Sequence, residues 1–324
     1  MLEDLLGRSF PYLRLSVTEA CNFRCSYCLP DGYKKTGVSD FLSADEIIRL
    51  VSGFADLGVR KVRLTGGEPT LRRDIPTIAS AISALGRIET LAMTTNGYNL
   101  KTQAGIFADS GINALNVSID SLQADKFHRI TGHDKPKDIL AGIDLARKAG
   151  IKPIKINCVL IKGVNDDEWP DFVALARQED ISIRFIELMQ TGDNADYFRT
   201  HHLSGEVLQA YLTSEGFAPL PRSATGGPAL EYGHPDHGGR IGIIAPYSKD
   251  FCTTCNRLRV TARGDLRLCL FGEFGYGLRP YLQSADQRNE LTQRITELLS
   301  YKTRSHNLAQ GQTGLTPHLA SIGG

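Results

Sequence analysis

Cys21, Cys25 and Cys28 fall within the eight residues CNFRCSYC, in a chain with seven cysteines in all. The first histidine is His128, so nothing nearby offers a fourth nitrogen or sulfur ligand. Structural zinc takes four such ligands. A cubane [4Fe–4S] cluster is usually held by four thiolates; three leave one iron open to a substrate or cofactor. Clustering this dense weighs against three reduced thiols without a metal.

A second set is just as incomplete. Cys252, Cys255 and Cys269 give Cys-x2-Cys-x13-Cys. His234 and His237 lie shortly before and could complete a tetrahedral Cys3His zinc site. Spacing alone fits zinc and iron–sulfur equally here. The seventh cysteine, Cys158, lies in an apolar strand and reads as core.

The elements that must position these thiols alternate. YLRLSV (12–17), VRKVRLT (59–65), IETLAMT (88–94), INALNVSI (112–119), IKPIKINCVL (151–160) and ISIRFIEL (181–188) read as strands. Helices are expected between them, near 75–85, 101–110, 137–149 and 167–178. One starts at Ser43, where Glu46 three residues on completes a capping-box signature. Repeated strand–helix units imply parallel strands with right-handed crossovers. Six units fall short of a full eightfold barrel, so the expectation is an incomplete (β/α)6 TIM-like barrel. Chemistry in such folds sits at the C-terminal ends of the strands. The first cysteines follow strand one, TGGEP follows strand two, TTNG follows strand three, and Ser118 and Asp120 end strand four.

The alternation weakens after about residue 195. Residues 221–240, rich in Pro and Gly, read as a connection. LRVTARGDLRLCLF reads as a hairpin turning at Arg263-Gly264-Asp265, and a helix is expected at about 286–300. The chain therefore divides into a barrel domain, 1–220, and a C-terminal domain, 221–324, carrying the second cysteine set.

The 324 residues carry a formal charge of +1 and are 41% hydrophobic. No global field favours nucleic acid, so an anionic ligand needs a local cluster of cations. No apolar run approaches the ~20 residues that cross a bilayer, and the first ten residues lack the order of a signal peptide. A cytoplasmic protein is expected, where clustered cysteines bind metal or do redox chemistry. Arg257 and Arg259 share one face of a strand. Arg14, Arg63 and Lys155 interrupt inner apolar strands, where a cation is costly unless paired; Arg184 does the same. Lys34, Lys35, Arg72 and Arg73 read as solvated surface. Trp169 reads as packing, His201 and His202 as a polar loop, and Met189, on spacing alone, as core.

Cys21-x3-Cys25-x2-Cys28, with Tyr27 before the last cysteine, resembles the signature of the radical S-adenosylmethionine (SAM) superfamily. GGEP (66–69) resembles its motif for the SAM amino group. LRLSVTEACNFRCSYCLP, VRLTGGEPTLR, TTNG, LNVSIDSL, KINCVLIKGVND, IRFIELM, CTTCNRLRVTARGDLRLCL and the terminal Gly-Gly together resemble the molybdenum cofactor biosynthesis protein A family, the GTP 3′,8-cyclases, over almost the whole chain. The resemblance implies a radical SAM partial barrel with a C-terminal extension. It implies two [4Fe–4S] clusters, on Cys21, Cys25 and Cys28 and on Cys252, Cys255 and Cys269, each with one open iron. SAM would occupy the first and the guanine of GTP the second. A 5′-deoxyadenosyl radical would take the hydrogen from C3′ of GTP, and C3′ would attack C8.

By the same resemblance, Tyr27, Gly66, Gly67, Glu68, Ser118 and Met189 contact SAM. Arg14, Arg63, Thr94, Lys155, Arg257, Leu258 and Arg259 contact GTP. Arg257, Arg259 and the tail residues Gly323 and Gly324 serve the reaction centre; Arg184, from its place in an inner strand, is expected near the phosphates or the reaction centre. The implied partners are GTP, an electron donor, a second copy of the chain and the cyclic pyranopterin monophosphate synthase that takes the product; nucleic acid and membrane are not expected. Two other readings compete. A radical SAM peptide-modifying enzyme would need neither the cations nor the tail. A zinc-bound interaction protein would explain only the second cysteine set.

Overall fold

The computed structural model describes residues 2–35, 40–179, 181–221, 226–314 and 316–323. Six parallel strands come first: β1 (Tyr12–Ser16), β2 (Lys61–Thr65), β3 (Thr90–Thr95), β4 (Ala114–Ser118), β5 (Ile154–Leu160) and β6 (Ser182–Glu187). They pair in chain order, β1 to β6. The crossovers carry α1 (Ala44–Asp56), α2 (Ile75–Ala84), α3 (Leu100–Asp109), α4 (Ala124–Thr131), α5 (Pro136–Lys148) and α6 (Trp169–Gln178). Ser43 and Glu46 form the capping box expected at the start of α1. The short α4 carries no signal strong enough to have been expected.

The last third does not build a separate sheet. After α7 (Ala195–His201), α8 (Gly205–Ser214) and β7 (Ala218–Pro219), the segment expected to be a connection holds β8 (Leu230–His234) and the start of β9 (His237–Ile244). Alternation in LEYGH and HGGRIGII was hidden there by Pro and Gly. Next come β10 (Arg257–Val260), β11 (Asp265–Arg267), β12 (Tyr276–Gly277) and α9 (Arg288–Leu299); β10 and β11 form the expected hairpin. Strand β9 pairs parallel with β6, and β10 pairs parallel with β1. The six-unit barrel thus gains a parallel strand on each edge, and the sheet runs unbroken across residue 220. Antiparallel strands flank it on both sides, in the order β12-β11-β10-β1-β2-β3-β4-β5-β6-β9-β8-β7.

Side chains alternate across a strand, and here the two faces differ in kind. Leu13, Leu15, Val62, Leu64, Met93, Val117, Ile156, Phe185, Leu258 and Val260 point outward into the core beneath the helices. The intervening positions, from Arg14 on β1 to Arg184 on β6 and Arg259 on β10, face one cavity of about 570 Å³. A polar inner face is stable only if the cavity holds water or a polar ligand.

Candidate active site

The first cysteine triad follows β1. Two glycines let the loop after β2 lie against it: Gly67 N donates to Thr18 O at 2.9 Å and Glu68 N to Ala20 O at 2.7 Å. A Cβ on Gly67 would stand 2.3 Å from Ala20 O, and one on Gly66 2.2 Å from Thr18 O. Cys21, Cys25 and Cys28 are free and line the cavity. Burial pushes the Cys21 thiol up to about 12 and the Cys28 thiol to about 11, and holds Cys25 well above its ordinary value. These thiols stay protonated until a metal displaces the protons.

Tyr27, Gly66, Gly67, Ser118 and Met189 line the same end of the cavity. The Tyr27 hydroxyl donates to Asp120 Oδ2 at 2.8 Å, and Val159 N donates to Asp120 Oδ1 at 2.8 Å. Burial raises the Asp120 carboxyl to about 6, against those two hydrogen bonds. Glu68 is placed otherwise than expected. It is fully buried, does not line the cavity, and accepts from Thr70 N, Thr95 Oγ1 and Asn96 N at 3.0, 2.8 and 2.6 Å. It ties its own turn to the end of β3, which leaves Gly66 and Gly67 as the part of GGEP that lines the cavity. Arg72, expected at the surface, is another brace: it donates to Val17 O and Leu42 O at 2.9 and 2.8 Å.

The second triad lies at the other end of the strands. Cys252 and Cys255 precede β10, which runs parallel to β1, so they sit at its N-terminal end. Strand β11 returns antiparallel and delivers Cys269 to the same end. A five-residue strand such as β1 spans about 16 Å, which sets the scale of the gap between the triads. All three thiols are free and line the cavity.

The histidines that could have completed a zinc site are elsewhere. His234 stacks on His237 at 4.3 Å in the β8–β9 hairpin, and neither lines the cavity. His306, which spacing did not single out, lines it instead. Burial would raise the Cys252 thiol, but hydrogen bonding with His306 and Ser305 brings it down to about 6. Among the described residues, no three His, Cys, Asp or Glu side chains close on a single-ion position. Each triad thus sets three thiols on the cavity wall, with His306 standing beside the second, a donor set that fits a cluster with one open iron.

Between the triads stands a wall of cations. Arg14, Lys61, Arg63, Lys155, Arg184, Arg257 and Arg259 all line the cavity, as does Thr94. Leu258 does not: its side chain lies in the core, because it alternates with its two arginine neighbours. Lys61 was missed, although it stands two residues before Arg63 on the same strand face. Its Nζ lies 4.9 Å over the Tyr12 ring. Arg63 donates to the Tyr12 hydroxyl at 2.6 Å and to Thr94 Oγ1 at 3.3 Å. Burial raises the Tyr12 hydroxyl, but Arg63, Arg14 and Lys61 together bring it down to about 7. Burial likewise lowers Lys155 to about 8, helped by Arg184 and opposed by Glu231.

The C-terminal tail straps the two ends together. Thr316 Oγ1 donates to Leu270 O at 2.6 Å, one residue past Cys269. Further on, the backbone of Leu319 and Ala320 hydrogen-bonds the Cys28 thiol. The carbonyl of Gly323 then accepts from Arg14 Nη2 at 2.9 Å and Arg259 Nη1 at 3.3 Å. Gly324 lies outside the described residues. Of the residues set aside from the sequence, Cys158 is buried core and Trp169 packs on Tyr211. His201 ends α7 rather than lying in a loop, and His202 pairs with Glu187 at 2.7 Å.

Comparison with known proteins matches two family models, which meet just before β6. A model of the radical SAM superfamily matches residues 15–176, and one described as Molybdenum Cofactor Synthesis C matches residues 181–308. The GTP 3′,8-cyclase of Stenotrophomonas maltophilia (strain R551-3) is 58% identical over 323 residues, covering 100% of this chain and 99% of its own. The GTP 3′,8-cyclase of Tolumonas auensis is 54% identical over 324 residues, covering 100% and 96%. The crystal structure of Streptococcus suis SuiB bound to precursor peptide SuiA superposes with a TM-score of 0.61 at 16% identity, covering 96% of this chain and 74% of that one. At that identity the likeness is one of fold alone.

Proposed function

The chain belongs to the GTP 3′,8-cyclase family of the radical SAM superfamily, and on that premise we infer how its cavity divides the work of the reaction. The enzyme is a lyase of molybdenum cofactor biosynthesis that converts GTP to 3′,8-cyclo-7,8-dihydro-GTP. Its cofactors are SAM and two [4Fe–4S] clusters. Cys21, Cys25 and Cys28 hold the first cluster, and Cys252, Cys255 and Cys269 the second. When bound, the first would supply a 5′-deoxyadenosyl radical able to take the hydrogen from C3′ of GTP and so allow C3′ to bond to C8.

The protein's own contribution is placement. Tyr27, Gly66, Gly67, Ser118 and Met189 surround SAM, with Asp120 fixing the Tyr27 hydroxyl. Guanine lies toward the second triad. Arg14, Lys61, Arg63, Lys155 and Arg184 draw in the triphosphate, and Thr94 orients Arg63. Arg257, Arg259 and the tail carbonyl of Gly323 confine the nucleotide near the reaction centre. Holding C3′ beside the radical source replaces a bimolecular encounter, and the enclosing strands exclude side reactions. An external protein or small-molecule donor supplies two electrons, one for cleavage of SAM and one, with a proton, to complete the dihydro product. The chain works in the cytoplasm as a homodimer and passes its product to the cyclic pyranopterin monophosphate synthase. Among the described residues no helix is long and apolar enough to cross a membrane.

The observation that carries this reading is the placement of two three-thiol sets at opposite ends of the parallel strands with a cationic wall between them. Two bound ligands, one at each open iron, would meet in the middle. The test is to purify the protein without oxygen, count iron and sulfide, and add SAM, GTP and dithionite. Two clusters, 5′-deoxyadenosine and a cyclised nucleotide are expected. Zinc without iron, or 5′-deoxyadenosine with unaltered GTP, would refute it.

A further inference from the structure

Three carboxylates line the cavity among the described residues: Asp120, Glu187 and Glu231. Asp120 accepts from Tyr27 and Val159, and Glu187 from His202. Glu231 alone pairs with cations of the cavity. Its Oε1 lies 2.9 Å from Arg184 Nη2 and 3.7 Å from Lys155 Nζ, and its Oε2 lies 3.5 Å from Arg240 Nη1.

The sheet is built to permit this contact. Arg184 on β6 lies opposite Gly242 on β9, and Gly242 lies opposite Glu231 on β8. The three form one row across the sheet. A Cβ on Gly242 would stand 3.2 Å from Arg184 Cγ, so the absence of a side chain leaves the arginine room to reach across to the acid. A carboxylate caged by two guanidiniums and an ammonium has the surroundings of a bound phosphate oxygen.

We propose that Glu231 is a built-in counter-ion that holds Lys155 and Arg184 in the phosphate's absence and that the triphosphate of the substrate must displace. This inference rests on the assignment of Lys155 and Arg184 to the phosphates. Glu231 keeps the buried cations paired while the cavity lacks nucleotide, where unpaired they would be costly. The same charge repels the entering triphosphate, so it weakens nucleotide affinity in proportion to the number of phosphates. It thereby discriminates among GTP, GDP and guanosine less steeply than the cations alone would, and it speeds release of a product that retains its phosphates.

The test measures equilibrium binding of GTP, GDP and guanosine to the anaerobic, cluster-loaded protein without SAM, so that no turnover occurs. Glu231→Gln keeps an oxygen for Arg184 and removes the charge. It should tighten GTP about tenfold, tighten GDP less, and leave guanosine unchanged. Glu231→Ala should behave alike and serves in its place if the Gln variant does not fold. Unchanged or weaker GTP binding in the folded variant would overturn the proposal. Arg184→Gln separates the underlying reading: if it leaves GTP affinity unchanged, the phosphate assignment is wrong; if it weakens GTP while Glu231→Gln does not tighten it, the counter-ion alone is wrong.

Discussion

The Gly323 carbonyl accepts from Arg14 Nη2 at 2.9 Å, joining the second-last residue of the chain to the first strand of the barrel. Gly323 has φ of +65°, and a Cβ there would stand 2.4 Å from Thr65 Cγ2. Gly323→Ala therefore combines a left-handed backbone that alanine disfavours with a clash. The tail should leave the cavity, and formation of the cyclised nucleotide should fall by about two orders of magnitude, the scale of misplaced reacting groups. Iron and sulfide content should stay at the wild-type level. Retention of full activity in this variant would remove the tail from the reaction.

The two triads should separate by mutation. Replacing Cys252, Cys255 and Cys269 together with Ala should remove half the iron and sulfide and leave SAM able to perturb the remaining cluster's spectrum. Replacing Cys21, Cys25 and Cys28 should abolish that response. Loss of both clusters from either triple variant, with the fold intact by circular dichroism, would count against two independent sites.

The thiols also differ in charge before any metal arrives. His306 and Ser305 overcome burial and hold Cys252 at about 6, whereas burial puts Cys28 at about 11 and Cys21 at about 12. At pH 7 Cys252 in the metal-free protein is mostly thiolate, and that fraction is lost as pH falls through 6. Alkylation at pH 7, read by mass spectrometry, should label Cys252 well ahead of Cys21 and Cys28. His306→Asn should slow it severalfold. Equal labelling of all three would contradict the arrangement.

The C-terminal third is tied to α1 by Arg279, whose Nε donates to Glu46 Oε1 at 2.8 Å. Burial opposes the charge of Glu46, but Arg279, Ser43 N and Gln283 outweigh it and hold the carboxyl down at about 2. A depressed carboxyl stabilises the fold fully above its unfolded value, about 4.3, and that contribution is lost as pH falls toward 2. Glu46→Gln should cost about 1.5–3 kcal/mol at pH 7, measured by denaturant unfolding. The difference from wild type should shrink below pH 4. A difference independent of pH would mean that packing, not charge, is at stake.

Much of this protein was legible along the chain. The two thiol sets were, because ligand spacing is local. The six strands were, because inner and outer residues alternate with a period of two. That period put Arg257 and Arg259 on one face, Arg14 and Arg63 stood out as cations interrupting apolar strands, and the same period held the signal for Lys61 and for the core position of Leu258. What the tertiary structure decided depends on register between distant segments. Strand β10 lies beside β1 and parallel to it, and only that fact sends the second triad to the opposite end from the first. Likewise β8, β9 and β6 must align before Glu231 can meet Arg184 across Gly242. His306 reaches Cys252, and His234 does not, because the tail folds back while the hairpin turns away. Local period and spacing say which residues can do chemistry; strand order, which is set by burial of the whole sheet, says which of them meet.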